Sequence, residues 1–228
     1  MGDLIEFPSN GERASGYLAL PASGAGSGPG VLVIQEWWGL VPHITEVADR
    51  FAGEGFVALA PDLYGGKKTT EPDEAGKEMM ALQIPKATRD MSGAVDELLR
   101  RSSGDKVGVV GFCMGGGLAL VVAAARPDAV GACVPFYGLI PWPDAAPDFA
   151  AMSAAVLGHY AGNDEYFTPE AARALEQQLK DLGKEVQVHV YDGADHAFFN
   201  DTRPEVYDQA AAQTAWTRTI DFLHAHLG

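Results

Sequence analysis

Cysteine is scarce in this chain, with only Cys113 and Cys133 in 228 residues. That is too few for a disulfide scaffold, and neither lies in the CxxC or Cys/His spacing of a zinc site. A thiol that matters here therefore matters in its reduced form. Basic charge is scarce as well: 16 Lys and Arg stand against 31 Asp and Glu, a formal net charge of −15. Such a chain repels phosphate backbones and anionic headgroups at long range, which argues against nucleic acid and membrane surfaces as partners. No apolar run approaches the ~18 residues of a membrane span, and the opening MGDLIEFPSNGERASGYLALP lacks the basic region, apolar core and small-residue cleavage site of a signal peptide. The expectation is a cytoplasmic protein that acts on a small molecule. Internal repeats, low-complexity tracts and long blocks of like charge are also missing, which leaves no sign of a solenoid or a disordered tail.

What remains is a globular composition, 47% apolar and 21% charged, of a length that fits a single domain over residues 1–228. A hairpin is expected over Leu4 to Phe7 and Gly16 to Leu20. Strands then alternate with helices: GVLVIQ (30–35), a helix over 43–54, GFVALAPD ending at Pro61, a helix over 85–101, KVGVVG (106–111), a helix over 114–125, and AVGACVPFYG (129–138). SAAVLGHYAG (153–162), a helix over 169–182, VQVHVY (186–191) and a last helix over 204–226 follow. Residues 64–84 break the rhythm; they carry a short helix over 73–82 and are a candidate lid or cap. Continuous β-branched runs mark strands buried on both faces, so the expected fold is α/β, a three-layer αβα sandwich around a mostly parallel sheet of about eight strands. In such sheets chemistry collects in the loops at the carboxyl ends of the strands.

One of those loops reads Gly111-Phe112-Cys113-Met114-Gly115-Gly116-Gly117 and runs straight into an apolar helix. This is G-x-C-x-G in a strand-turn-helix context. A sharp turn there projects the thiol over the sheet edge and sets it at the positive end of the helix, which favours a thiolate. A packing turn with a small buried Cys is the competing reading. Cys133 shows that alternative, since it lies inside a strand run without a glycine elbow. A thiol nucleophile needs a base, and the base needs a partner that fixes its tautomer. In the chain order nucleophile, acid, histidine, the loops after the strands ending at Tyr160 and Tyr191 supply Asp164 and His196. The other histidines fit less well: His43 opens a helix, His159 and His189 lie in strands, and His224 and His226 sit on the last helix. A metal cluster of His189, Asp192, Asp195 and His196 would draw every ligand from one strand and its loop, so no metal and no cofactor is expected.

The segments Gln35-Glu36-Trp37-Trp38-Gly39, Ala60-Pro61-Asp62-Leu63-Tyr64, Gly111-Phe112-Cys113-Met114-Gly115-Gly116 and Gly193-Ala194-Asp195-His196-Ala197-Phe198 together resemble the dienelactone hydrolase (carboxymethylenebutenolidase) family, a branch of the α/β-hydrolase fold. The resemblance implies hydrolysis of an ester or lactone through a thioester, with Cys113 as nucleophile, His196 as base, Asp164 as its orienter, and Glu36 gating formation of the thiolate. The competing reading of Glu36 is a solvated loop carboxylate. Backbone N–H groups of Trp37 and Met114 would form the oxyanion hole. Trp38, Tyr64, Tyr137, Phe198 and Phe199 are candidate pocket walls, each equally at home in a core, and Arg203 is a candidate substrate contact. The family's best-known members hold a substrate carboxylate with two arginines, at the positions of Gly66 and Asn200 here. Lys67, Lys68 or Arg203 would have to substitute, and a lysine does not reproduce the arginine fork. The alternatives are a broader carboxylesterase or thioesterase acting on neutral acyl groups, and a non-catalytic ligand-binding or thiol-sensing protein. A monomer or small homo-oligomer is expected.

Overall fold

A computed structural model describes every residue of the chain except Asp144. Its strands are β1 (Asp3–Ser9), β2 (Glu12–Ala19), β3 (Pro29–Ile34), β4 (Val57–Pro61), β5 (Ser103–Phe112), β6 (Val130–Phe136), β7 (Ala155–Ala161) and β8 (Val186–Tyr191). Its helices are α1 (Pro42–Gly53), α2 (Pro72–Ala81), α3 (Ile84–Arg101), α4 (Met114–Ala125), α5 (Pro169–Asp181) and α6 (Gln209–Leu227). The strands form one sheet in the order β1-β2-β4-β3-β5-β6-β7-β8. The β1/β2 and β2/β4 pairs are antiparallel and the rest are parallel.

The continuous apolar strands divide by the two-residue period. Leu32, Ile34, Val57, Leu59, Val107 and Val109 face the layer of α3, α4 and α5, while Val31, Val33, Ala58, Ala60, Val110 and Phe112 face α1 and α6. This is the expected three-layer sandwich. Each Val, Leu, Ile or Phe among them, withdrawn from water on folding, contributes about 1.5–3 kcal/mol. From central β3 the chain passes to β4 on one side and then to β5 on the other. The ends of β3 and β5 therefore flank the point where the winding reverses, where a crevice opens above the sheet.

The two largest departures of element edges from the sequence expectation are at the starts of β2 and of the last helix. β2 starts at Glu12 rather than Gly16, because Asn10 and Gly11 take left-handed φ values of 46° and 90° and close a tight hairpin. The last helix starts at Gln209, not Pro204. Asp208 caps it by accepting hydrogen bonds from the Ala210 and Ala211 backbone at 3.0 Å, and residues before it remain in turns.

His43, on the first turn of α1, is 2% exposed and packs edge-on against Phe112. Burial lowers its pKa to about 4, although Asp201 at 3.4 Å pulls the other way. The folded protein thus holds His43 neutral while the unfolded chain protonates it near 6.5. Stability is complete above that pH and falls as pH drops from about 6.5 towards 4, by on the order of 3 kcal/mol for this group. His159 and His189, whose pKa values burial also lowers, act in the same direction. His43→Leu is therefore expected to flatten the fall in melting temperature between pH 7 and pH 5. An unchanged slope would show that His43 titrates alike in both states.

Candidate active site

Cys113 stands between the last residue of β5 and the first of α4 with φ 53° and ψ −116°, a conformation strained for any residue but glycine. The glycines around it make the turn possible. A Cβ on Gly111 would lie 1.9 Å from the Gly115 carbonyl oxygen, and one on Gly115 would lie 2.5 Å from the carbonyl oxygens of Ile34 and Gln35. The turn at Cys113 is thereby pressed against the end of β3 and the residue that follows it, just before Glu36. Cys113 is 8% exposed and opens onto a cavity of about 990 Å³.

Asp164 and His196 reach the same cavity region from the ends of β7 and β8. His196 Nδ1 and Asp164 Oδ2 are 2.6 Å apart. Asp164 Oδ1 accepts from the backbone N–H groups of Tyr166 at 2.9 Å and Phe167 at 3.0 Å. Burial alone would raise the Asp164 pKa, but these bonds and His196 outweigh it and hold the carboxyl below its usual range. Burial likewise pulls His196 down, yet hydrogen bonding with Asp164 and the facing Cys113 thiol prevail and raise it to about 10. The two loops are stitched together by Asn163. Its backbone N–H donates to Ala194 O at 3.0 Å, and its side-chain amide donates to Gly193 O at 3.0 Å and Asp195 Oδ1 at 3.1 Å.

Glu36 is not a solvated loop carboxylate, being 1% exposed. Asn200 Nδ2 donates to its Oε2 at 2.9 Å, while Oε1 has no hydrogen-bond partner. Asn200 is itself fixed, its Oδ1 accepting from Thr202 N at 3.1 Å and Thr202 Oγ1 at 2.6 Å. Burial raises the Glu36 pKa, against the opposing pull of His196 and Asn200. The fully buried Tyr137 hydroxyl lies near Glu36 without closing a well-formed hydrogen bond, and its ring packs edge-on against His196 at 5.1 Å. The carboxyl, thiol and imidazole therefore share one pocket floor.

The candidate donors to a developing oxyanion are well placed in the chain. Met114 opens α4, where first-turn N–H groups lack helical acceptors, and Trp37 follows β3 and lines the cavity. Trp38 and Arg203 also line it, with the Arg203 guanidinium 5.8 Å over the Trp38 ring. Tyr64, Tyr137, Phe198 and Phe199 lie behind the walls instead. Tyr64 turns its hydroxyl onto Met114 Sδ at 3.2 Å. Ala197, at φ 67°, sends the chain inward after His196, so Phe198 and Phe199 drop into the core, Phe199 stacked 5.3 Å from Phe112. Sequence reasoning missed the walls that replace them: Met79 and Met80 from α2, and Tyr166, Phe167 and Val206. None belongs to a motif; Met79 and Met80 lie on the helix of the 64–84 segment, and Tyr166, Phe167 and Val206 in loops after Asp164 and His196. Within 64–84, Thr69 N donates to Trp38 O at 3.1 Å, and the Met79 carbonyl accepts from Trp142 Nε1 at 3.3 Å, so α2 roofs the cavity while tied at both ends. Among the described residues no cluster of three or more His, Cys, Asp or Glu could hold a metal ion, and no helix is long and apolar enough to cross a membrane.

Comparisons with known proteins agree with one another. A family model described as the dienelactone hydrolase family matches residues 14–227. Protein usf of Aquifex pyrophilus is 41% identical over 236 residues, covering all of both chains. The solved structure of a dienelactone hydrolase-like promiscuous phosphotriesterase, P91, from metagenomic libraries superposes with a TM-score of 0.88 at 25% identity, covering 100% of this chain and 99% of that one. A thermophilic esterase of Thermogutta terrifontis shares the fold at a TM-score of 0.70 and 17% identity, over 98% and 92% of the two chains.

Proposed function

The chain belongs to the dienelactone hydrolase family of ester and lactone hydrolases within the α/β-hydrolase superfamily, and from that premise we propose that it works by covalent catalysis through Cys113, His196 and Asp164. The observation that carries this reading is an imidazole bonded at 2.6 Å to a buried carboxylate while its ring faces the Cys113 thiol across the cavity floor. A binding module or thiol sensor has no need of that oriented histidine.

In the proposed reaction the Cys113 thiol proton passes to His196, whose raised pKa favours the imidazolium beside Asp164. The sulfur attacks the carbonyl carbon, and the displaced electron pair settles on the oxygen, stabilised by the N–H groups of Trp37 and Met114. Collapse breaks the carbon–oxygen bond, and the leaving alkoxide takes the proton from His196; in a lactone it stays tethered to the acyl group. Water then gives a proton to His196 and attacks the thioester. The carbon–sulfur bond breaks, the acid leaves, and the thiol recovers its proton. One water is consumed and no oxidant or reductant is needed. A charged Glu36 beside the thiol opposes thiolate, while a protonated one does not, so the buried carboxyl gates the first step.

Acid-quenching a single turnover of a short-chain p-nitrophenyl ester and mapping the adduct by mass spectrometry is expected to find the acyl group on the Cys113 peptide. Ester consumption with the acyl group on another side chain would overturn the assignment.

A further inference from the structure

The charges around the cavity do not balance. Glu36, Asp73, Glu165 and Asp195 line it on the acidic side, against Lys77 and Arg203. Lys77 is exposed on α2, and Arg203 lies over Trp38 with its Nε bonded to Glu205 at 2.9 Å and its charge already acting on the buried Glu36. At the floor itself, Asn200 is 2% exposed and engaged at both ends of its amide, by Glu36 and by Thr202. The walls above are apolar: Trp37, Trp38, Met79, Met80, Phe167 and Val206. A carboxylate entering this space would leave water, meet a buried carboxyl and find only an exposed lysine and an arginine already shared between Glu36 and Glu205, and the −15 charge of the whole chain would repel it on approach.

We infer that the pocket selects esters and lactones whose acyl group is uncharged and apolar, and discriminates against acyl groups that end in a carboxylate. The assay of this inference rests on the proposed hydrolysis, so a second measurement reads binding alone.

The first measurement compares p-nitrophenyl hexanoate with the mono-p-nitrophenyl ester of adipic acid, which has the same acyl length plus a terminal carboxylate, and with p-nitrophenyl acetate. The expected kcat/KM for the hexanoate exceeds that for the adipate ester by at least about 10-fold, since an unpaired charge in an apolar pocket is penalised more than a missing methylene. The hexanoate should also exceed the acetate, through contact with the apolar walls. Equal or better hydrolysis of the adipate ester would overturn the inference, and loss of that preference in Arg203→Gln would identify Arg203 as a carboxylate clamp. The second measurement is protection of Cys113 from iodoacetamide by hexanamide and by adipic acid monoamide. Hexanamide should protect at a concentration lower by at least about 5-fold, on the same desolvation argument. If none of the esters turned over, the proposed hydrolysis would fail while this comparison still decided the selectivity, and equal or reversed protection would overturn it.

Discussion

Cys113→Ala is expected to lower kcat for a short-chain p-nitrophenyl ester by at least about 10³-fold, leaving only what the oxyanion donors and binding supply. The fold should tolerate the change. Alanine keeps the Cβ that the strained φ of 53° already accommodates, and the elbow is held by backbone packing of Gly111, Gly115 and Gly138 and not by the sulfur. Stability should therefore shift by no more than about 1 kcal/mol, the scale of a small buried truncation. A variant with wild-type melting and wild-type rate would remove Cys113 from the chemistry. Cys133→Ala makes the contrast: that thiol is fully buried among core side chains, with no route to the cavity, so its loss should touch stability and spare kcat.

The second large effect is structural. Gly111→Ala is expected to destabilise the protein by more than about 3 kcal/mol, since its methyl group would sit 1.9 Å from the Gly115 carbonyl oxygen, and no rotation can relieve a clash between Cβ and backbone. The elbow would have to open, moving Cys113 away from His196. Urea unfolding should report a lower midpoint with an unchanged slope, and any folded remainder should lose activity in excess of its loss of stability. A midpoint within error of wild type would mean that the turn is softer than its packing implies. Gly115→Ala should act in the same direction, because its methyl group would press on the β3 carbonyls that immediately precede Glu36.

Much of this architecture is legible in the sequence, for identifiable reasons. β3, β6, β7 and residues 107–112 of β5 are buried almost throughout, so the loops carrying Glu36, Cys113 and Asp164 can be located by where such runs stop, while the His196 loop follows the half-exposed, alternating run VQVHVY of β8. The glycines flanking Cys113 are equally readable, because a backbone-to-backbone approach admits nothing larger. The pocket walls are another matter. Aromatic residues next to a motif have the same composition whether they face a cavity or a core, and the direction of Phe198 and Phe199 depends on a left-handed φ at Ala197, a residue type that does not announce one. Met79 and Met80 become walls only because α2 folds back over Trp37 and Trp38, a long-range event without local signature. Asn200 was conspicuous as a departure from a pattern, but its part in holding Glu36 depends on a pairing across 164 residues.

The stitch made by Asn163 divides the floor into two pieces of machinery. One comprises Asp164 and His196, joined through the β7 and β8 loops, and the other comprises Cys113 and Glu36, joined through the pressed backbones of β3 and α4. Within each piece the parts are over-determined, whereas between them run the sulfur-to-imidazole approach and the long-range tie from Asn200 to Glu36. The seam between the pieces therefore rests on two side-chain links, and an acyl group bound to Cys113 would meet His196 across that seam.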